Sequence, residues 1–277
     1  MGTQSYGRDW KIADLKITQL NENTTPATGD LLAIVNDPAG TPETQKIDIN
    51  NLGLLTGWIT AGETWTYASA STITVPAGAA SKYNAGDRIK LTQTTVKYFI
   101  VTAVADTVLT LYGGTDYTLI DAAISANYYS HSKSPVGFPL SPIKWTVTVT
   151  DTTQRIQASP TQNTWYNLGS QAITIPIGIW KVTYKVQCYV NNGATESNMS
   201  VTLSTANNSE SDVNFTFAER GAYLYGHISA IVSGYITLAA EDIFYLNTSS
   251  GDAGAIAIRN ENSTKQMIIT AVSAYLW

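Results

Sequence analysis

At 277 residues the chain is long enough for two or three domains with sizeable cores. Its net charge of -5, with 13% charged residues and no basic run, excludes an electrostatic nucleic-acid binder, because phosphate affinity needs clustered Lys and Arg. A single cysteine, Cys188, excludes an intramolecular disulfide framework, no Cys/His spacing suits zinc, and no stretch reaches the roughly 18 apolar residues that span a bilayer, so no metal, cofactor or membrane insertion is expected.

Tyrosine (16) and tryptophan (7) are heavily used beside Thr, Ser, Asn and Gly, and aromatic and β-branched side chains pack well on a pleated, half-buried surface. An all-β chain is therefore predicted. The opening residues, Met1 to Trp10, lack the apolar core of a signal peptide, which suits release by lysis. Residues 1–56 read as a small separate unit, where Leu31-Leu32-Ala33-Ile34-Val35 and Thr44-Gln45-Lys46-Ile47-Asp48-Ile49 flank the breaker-rich Asn36-Asp37-Pro38-Ala39-Gly40-Thr41-Pro42. That pattern predicts a two-strand ribbon. A ribbon buries too little surface to stand alone, so it is expected to pack on copies of itself or on another protein. Ile17-Thr18-Gln19-Leu20-Asn21-Glu22-Asn23-Thr24-Thr25-Pro26 and Ile49-Asn50-Asn51-Leu52-Gly53 resemble the N-terminal segments of phage fibre and spike proteins, which implies that the partner is another virion protein.

Residues 57–145 form the next block. Strands are predicted at 88–94, 96–104 and 108–112, separated by one to three residues, and connections that short make antiparallel neighbours. In the first, Ile89, Leu91 and Gln93 alternate with Arg88, Lys90 and Thr92, predicting one apolar and one wet face. Ala77-Gly78, Ala85-Gly86 and Gly113-Gly114 punctuate the block, and a small β-barrel follows. The run from Pro135 to Pro142 holds three prolines, which block ladder hydrogen bonds, so an extended linker is predicted there. The core of the block, Lys82-Tyr83-Asn84-Ala85-Gly86-Asp87-Arg88-Ile89-Lys90-Leu91-Thr92-Gln93-Thr94-Thr95-Val96-Lys97-Tyr98-Phe99 with Tyr112-Gly113-Gly114-Thr115-Asp116-Tyr117-Thr118-Leu119, resembles a module of virion proteins in tailed bacteriophages and prophages. The resemblance implies the outside of a virus particle as the location.

Residues 146–277 carry the clearest alternation in the chain, with Trp180, Val182, Tyr184, Val186, Cys188 and Val190 on one face and Lys181, Thr183, Lys185, Gln187 and Tyr189 on the other. Further strands are predicted at 172–175, 199–203, 213–218, 223–238, 243–248, 255–260 and 267–277. About eight strands with turns between them predict a β-sandwich. Ile173-Thr174-Ile175-Pro176-Ile177-Gly178-Ile179-Trp180-Lys181-Val182-Thr183-Tyr184 and Gly234-Tyr235-Ile236-Thr237-Leu238-Ala239-Ala240-Glu241-Asp242-Ile243-Phe244-Tyr245-Leu246 resemble the C1q-like and tumour-necrosis-factor-like jelly roll. The chain departs from that family at the usual Phe-rich closing strand, which here reads Thr270-Ala271-Val272-Ser273-Ala274-Tyr275-Leu276-Trp277. The resemblance implies a trimer, and the last strand points the same way. Ile268, Val272, Ala274 and Leu276 fill one face while Ile269, Ala271, Tyr275 and Trp277 make the other apolar, so two covers are needed. Ile269, Tyr275 and Trp277 are the candidate interface residues.

No catalytic set is assigned. His131 and His227 lack a carboxylate or second ligand at a telling spacing, and Cys188 falls on an apolar strand face, as a buried inert thiol would. Paired carboxylates for glycan cleavage would have to come from Asp116, Asp121, Glu196, Glu210, Asp212, Glu219, Glu241, Asp242, Asp252 and Glu261, most of them in turn-like contexts that read as solvated loops. Two adjacent acids at Glu241-Asp242 fall short of a calcium shell. Tyr189, Tyr223 and Tyr225 are candidates for stacking on a sugar, with sheet packing as the competing explanation, and the receptor-binding residues are left unassigned. The expectation is a homotrimeric fibre or spike of a tailed-phage virion, non-enzymatic, exposed on the tail or capsid exterior, with a host surface glycan or protein as partner. A capsid decoration protein or head fibre, and a polysaccharide-degrading tail enzyme, are the alternatives.

Overall fold

The computed structural model describes residues 31–36, 43–48, 56–191, 197–221, 226–252, 254–258 and 267–275. The chain divides into two units, residues 1–55 and 56–277. In the first, β1 (Leu31–Asn36) and β2 (Glu43–Asp48) pair antiparallel with Ala33 opposite Lys46, the ribbon predicted from their breaker-flanked apolar runs. The segments at 17–26, 37–42 and 49–53 lie outside the described residues.

The second unit begins with β3 (Ile59–Thr60), β4 (Thr66–Ser69), β5 (Thr72–Thr74), β6 (Arg88–Gln93), β7 (Thr95–Ala105), β8 (Val108–Tyr112) and β9 (Ser125–Ser130). They form one sheet in the order β3-β9-β6-β7-β8-β5-β4, so the predicted meander β6-β7-β8 is its centre. Register shifts at Tyr67/Ser69, Lys90/Thr92 and Val101/Ala103 bend it, as bulges do. The sheet rolls around Trp65, Ile73, Ile89, Leu91, Phe99 and Leu109, which are all buried. Its two edge strands, β3 and β4, are consecutive in sequence, so the roll is closed by the chain between them, with Trp65 buried there, instead of by a ladder.

One face of β6 corrects the sequence reading. Arg88, expected in water, is wholly buried. Its guanidinium lies 5.3 Å from the Phe138 ring centroid, and it donates to the Lys133 carbonyl (3.0 Å) and to that of Gly86. Lys90 on the same face sits over Trp58 and Tyr128, at 4.8 and 4.2 Å, and burial lowers its pKa. Gln93 is buried on the core side as predicted, where its amide clasps the backbone of Ile120 at both ends (2.8 and 3.2 Å). The cover over Arg88 comes from the proline run, which is no extended linker: Val136 donates to Thr56, residues 142–144 make a 3-10 turn, and Phe138 is buried.

That run builds a joint. Phe138 stacks on Trp145 at 5.1 Å and 8°, Trp58 lies 6.5 Å from Phe138, and Tyr112 touches Trp145 and Trp180 at 5.9 and 6.2 Å. Trp58 and Trp145 anchor their ring N–H groups on the carbonyls of Val136 and Pro139. Gly114, at φ +66, lets the backbone of Lys144 approach where a Cβ would collide with its carbonyl. One hydrophobic cluster thus runs from Trp58 and Phe138 of the rolled sheet into Trp180 of the next domain.

Beyond Trp145 come β10 (Thr146–Asp151), β11 (Arg155–Gln157), β12 (Ala172–Ile175), β13 (Gly178–Asn191), β14 (Ser197–Ser204), β15 (Thr216–Gly221), β16 (Gly226–Leu238), β17 (Asp242–Ser250), β18 (Ala255–Ile258) and β19 (Met267–Tyr275). The predicted strand at 213–218 opens instead as a 3-10 turn, because Asp212 accepts the Asn214 N–H and caps it. Pairing is nested: β14 with β15, then β13 with β16, β12 with β17, β11 with β18 and β10 with β19. A hairpin folded over in this way is a jelly roll, with β12-β17-β14-β15 in one sheet and β10-β19-β13-β18-β11, joined by β16 on β13, in the other. Trp180, Val182, Tyr184, Val186 and Cys188 face the space between the sheets, each 1% exposed or less. Tyr184 carries its hydroxyl into that core and places it against the carbonyls of Val201 (3.1 Å) and Phe215 (2.9 Å).

Candidate binding surfaces

The β6/β9 ladder puts Arg88 opposite Ser130, so the next pair outward is Asp87 and His131. Those two side chains meet at 2.9 Å through Nδ1 of the imidazole. Asp87 is held from the other side by the Asn84 N–H at 2.8 Å, in a turn that Gly86 closes at φ +93. The carboxylate is buried at 6% exposure while the imidazole is 48% exposed, with its edge against Tyr129 at 5.2 Å. Fixing Nδ1 in this way leaves Nε2 directed away from Asp87.

The pair lines a cleft of about 480 Å³ between the rolled sheet and the jelly roll. Lys133 joins it on the same wall. The opposite wall is Ile177, at the turn into β13, with Thr237, Leu238 and Ala239 at the end of β16. Polar groups that converge opposite carbon, at a domain junction, are the usual build of a small-molecule site. His131 therefore has the carboxylate partner that its sequence neighbours did not reveal. The partner was hidden because it depends on the register of strands about forty residues apart.

A second surface is the outer face of the β10-β19-β13-β16 sheet. Val272, Lys181 and Tyr235 align across one row, Thr270, Thr183 and Ser233 across the next, and Ile268, Lys185 and Ile231 across a third. Ile231 and Tyr235 are 62% and 69% exposed. On β19 the two faces separate: Met267, Ile269 and Ala271 are buried inside the sandwich, while Ile268 and Val272 are half-buried on the outside. Ile269 is therefore removed from the interface candidates, since its own chain covers it completely. The side chain of Tyr275 and all of Trp277 lie outside the described residues.

The other sequence candidates have ordinary partners. Tyr189 is 8% exposed, not a free stacking platform, and its hydroxyl accepts from Gln154 (3.2 Å). Tyr223, Tyr225, Glu196, Glu261 and the side chain of His227 lie outside the described residues. Asp116 pairs with Lys144 at 2.6 Å, and Asp242 accepts the Ile243 N–H. Cys188 is fully buried, and burial pushes its thiol well above the ordinary range, as expected of an inert side chain. A cluster that the sequence reading missed sits in the rolled sheet, where Glu63 accepts from Lys82 (2.8 Å), Trp65 (2.9 Å) and Tyr83. Burial alone would raise the Glu63 pKa, but those three donors outweigh it and hold the carboxyl below the usual range.

No family model matches the chain, and no curated protein sequence matches it. Among solved structures, a chain of the infectious bursal disease virus Gx strain overlaps 78% of this chain and 63% of its own, at 12% identity and a TM-score of 0.25. The T=1 particles derived from infectious bursal virus overlap 88% and 66%, at 13% identity and 0.21. The VP2 subviral particle of that virus overlaps 88% and 69%, at 11% and 0.20. The chain thus spans less than two thirds of the length of the first two. All are particles or particle proteins of a virus, and at these scores the overlap defines neither fold nor function here.

Proposed function

We propose that this chain is a structural protein of a tailed-phage virion: a homotrimeric fibre or spike that the N-terminal ribbon anchors and the jelly roll presents to the host surface. It acts by binding, without catalysis. The observation that carries this reading is the aromatic joint at Trp58, Phe138, Tyr112 and Trp145, which turns the phage-like module of residues 57–145 into a rigid pedestal for the jelly roll. A presenting domain gains from such a pedestal because a pre-oriented site loses less freedom on binding. The half-buried Ile268 and Val272, with exposed Ile231 and Tyr235, give the outer sheet face apolar groups for a second copy to cover. Three linked copies would raise avidity for a repeated surface ligand.

Antibody labelling of particles viewed by electron microscopy tests the location: tail label is expected, label on the head favours a decoration protein or head fibre, and unlabelled particles overturn the reading. Light scattering of the purified chain tests assembly. A stable monomer at micromolar concentration would overturn the trimer.

A further inference from the structure

We propose that Lys90, with the tyrosines beside it, forms a binding site for an acidic sugar on the face of the rolled sheet away from its core. The ladders set the row: Thr60 pairs with Tyr128, Tyr128 with Lys90, and Lys90 with Tyr98, so side chains from β3, β9, β6 and β7 share that face. Thr60 is exposed and the other three are half-buried. The Lys90 ammonium lies 4.2 Å from the Tyr128 ring centroid and 4.8 Å from that of Trp58, and no oxygen acceptor among the described residues reaches it. Its neighbours in the sheet differ. Lys82 has Glu63 at 2.8 Å, Lys97 has the Thr118 carbonyl at 2.7 Å, and Lys144 has Asp116 at 2.6 Å. Ring faces replace only part of the hydration that a half-buried ammonium gives up, so such a charge is ordinarily paired with an oxygen. Burial lowers the Lys90 pKa, and no carboxylate offsets it. An anion resting on the ammonium would supply the acceptors that the chain does not.

The rest of the row selects the body of that anion. The hydroxyls of Tyr128 and Tyr98 make no hydrogen bond among the described residues, and Thr60 adds another at the exposed end. Hydroxyl-bearing side chains around one cation match a ring that carries several hydroxyls and one negative group. An ammonium is a point charge without the fork that favours a planar carboxylate, so a uronic acid and a sugar phosphate share the required chemistry. Only the choice of a surface polymer as natural source rests on the virion reading above; the site itself stands on the Lys90 row.

The test is calorimetric titration of the full chain with methyl glucuronide, glucose 6-phosphate, methyl glucoside and acetate. The tighter of the two acidic sugars assigns the source, and it should bind at least about tenfold more tightly than methyl glucoside, the difference that one charge-assisted hydrogen bond makes. It should also bind more tightly than acetate, which brings a charge without hydroxyls. Lys90→Met keeps an apolar stem between the rings and should weaken that sugar by about tenfold or more, while Tyr128→Phe should weaken it by about threefold. Lys144→Gln, which removes an ammonium that Asp116 already holds, should leave binding unchanged, and thermal melts will show that each variant is folded. In the unmutated chain, the NMR signal of the Lys90 side chain should titrate at higher pH with the sugar bound, since an adjacent anion favours the charged form. Methyl glucoside or acetate binding as tightly as the acidic sugars, no binding of either acidic sugar, or an unmoved Lys90 titration would overturn the site. Binding at Lys90 by a protein absent from particles would refute the virion reading and leave the site intact.

Discussion

In the rolled sheet, β6, β7 and β8 pair in the order in which they leave the sequence, whereas in the jelly roll β10 waits for β19 at the other end of the domain. Buried polarity differs in parallel. The rolled sheet buries ionic groups, Asp87 and Arg88, close to the joint, where short connections and the proline run bring partners to them. The jelly roll buries neutral ones, Thr202, Ser204, Asn247 and Thr248 among them. Asn247 shows how they are satisfied: its amide donates to the Ala206 (2.9 Å) and Ser209 (2.7 Å) carbonyls and its oxygen accepts the Asn208 N–H. A sandwich core depends on contacts between elements far apart in sequence, which must first close large loops, and an unpartnered neutral amide costs less than an unpartnered charge.

The largest break in this comparison should come at the joint that both regions share. Trp145→Ala removes a ring 1% exposed and stacked on Phe138, and should cost about 3–5 kcal/mol in denaturant titration, with both regions losing cooperativity. Tyr184→Phe acts on the jelly roll alone. It leaves the carbonyls of Val201 and Phe215 without the hydroxyl and should cost about 1–3 kcal/mol. Glu63→Gln acts on the rolled sheet, with an expected cost of about 1–2 kcal/mol at neutral pH. Because the folded-state pKa of Glu63 is lowered, its contribution is complete above the unfolded value of about 4.3 and disappears as pH falls through the folded value. Melting temperatures of wild type and variant should therefore converge in acid. The smallest effect is expected from Arg155→Ala, which breaks a half-exposed pair with Asp151 at 2.8 Å and should cost less than about 1 kcal/mol, readable as a small shift in the melt.

Sequence periodicity was a good guide where one face meets the core and the other meets water, as from Trp180 to Cys188, and it lapsed at Tyr189, which is buried. It failed where a distant segment supplies the second cover. Arg88 and Lys90 look like a wet face because nothing local indicates that Phe138 and Trp58 will close over them. The strand from Thr146 to Asp151 escaped notice because its inward Val147 and Val149 are set among threonines, and its register with β19 is what gives it meaning. The Asp87–His131 pair belongs to the same class, as a product of strand register. Ile269 marks a subtler limit: alternation correctly gave two apolar faces, but only the sandwich decides which of them its own chain uses.

The nesting of the ladders also has a mechanical side. Tension from the rolled sheet reaches the jelly roll at Thr146 and runs along β10, parallel to its pairing with β19. Trp145 and Ser273 clamp the near end, where the Ser273 N–H donates to the Trp145 carbonyl at 3.1 Å. Load along a strand axis shears the pairs from Thr146 opposite Val272 to Asp151 opposite Met267 together, where a perpendicular load would peel them singly. Built this way, the domain should resist a pull transmitted through the rolled sheet better than one from the side.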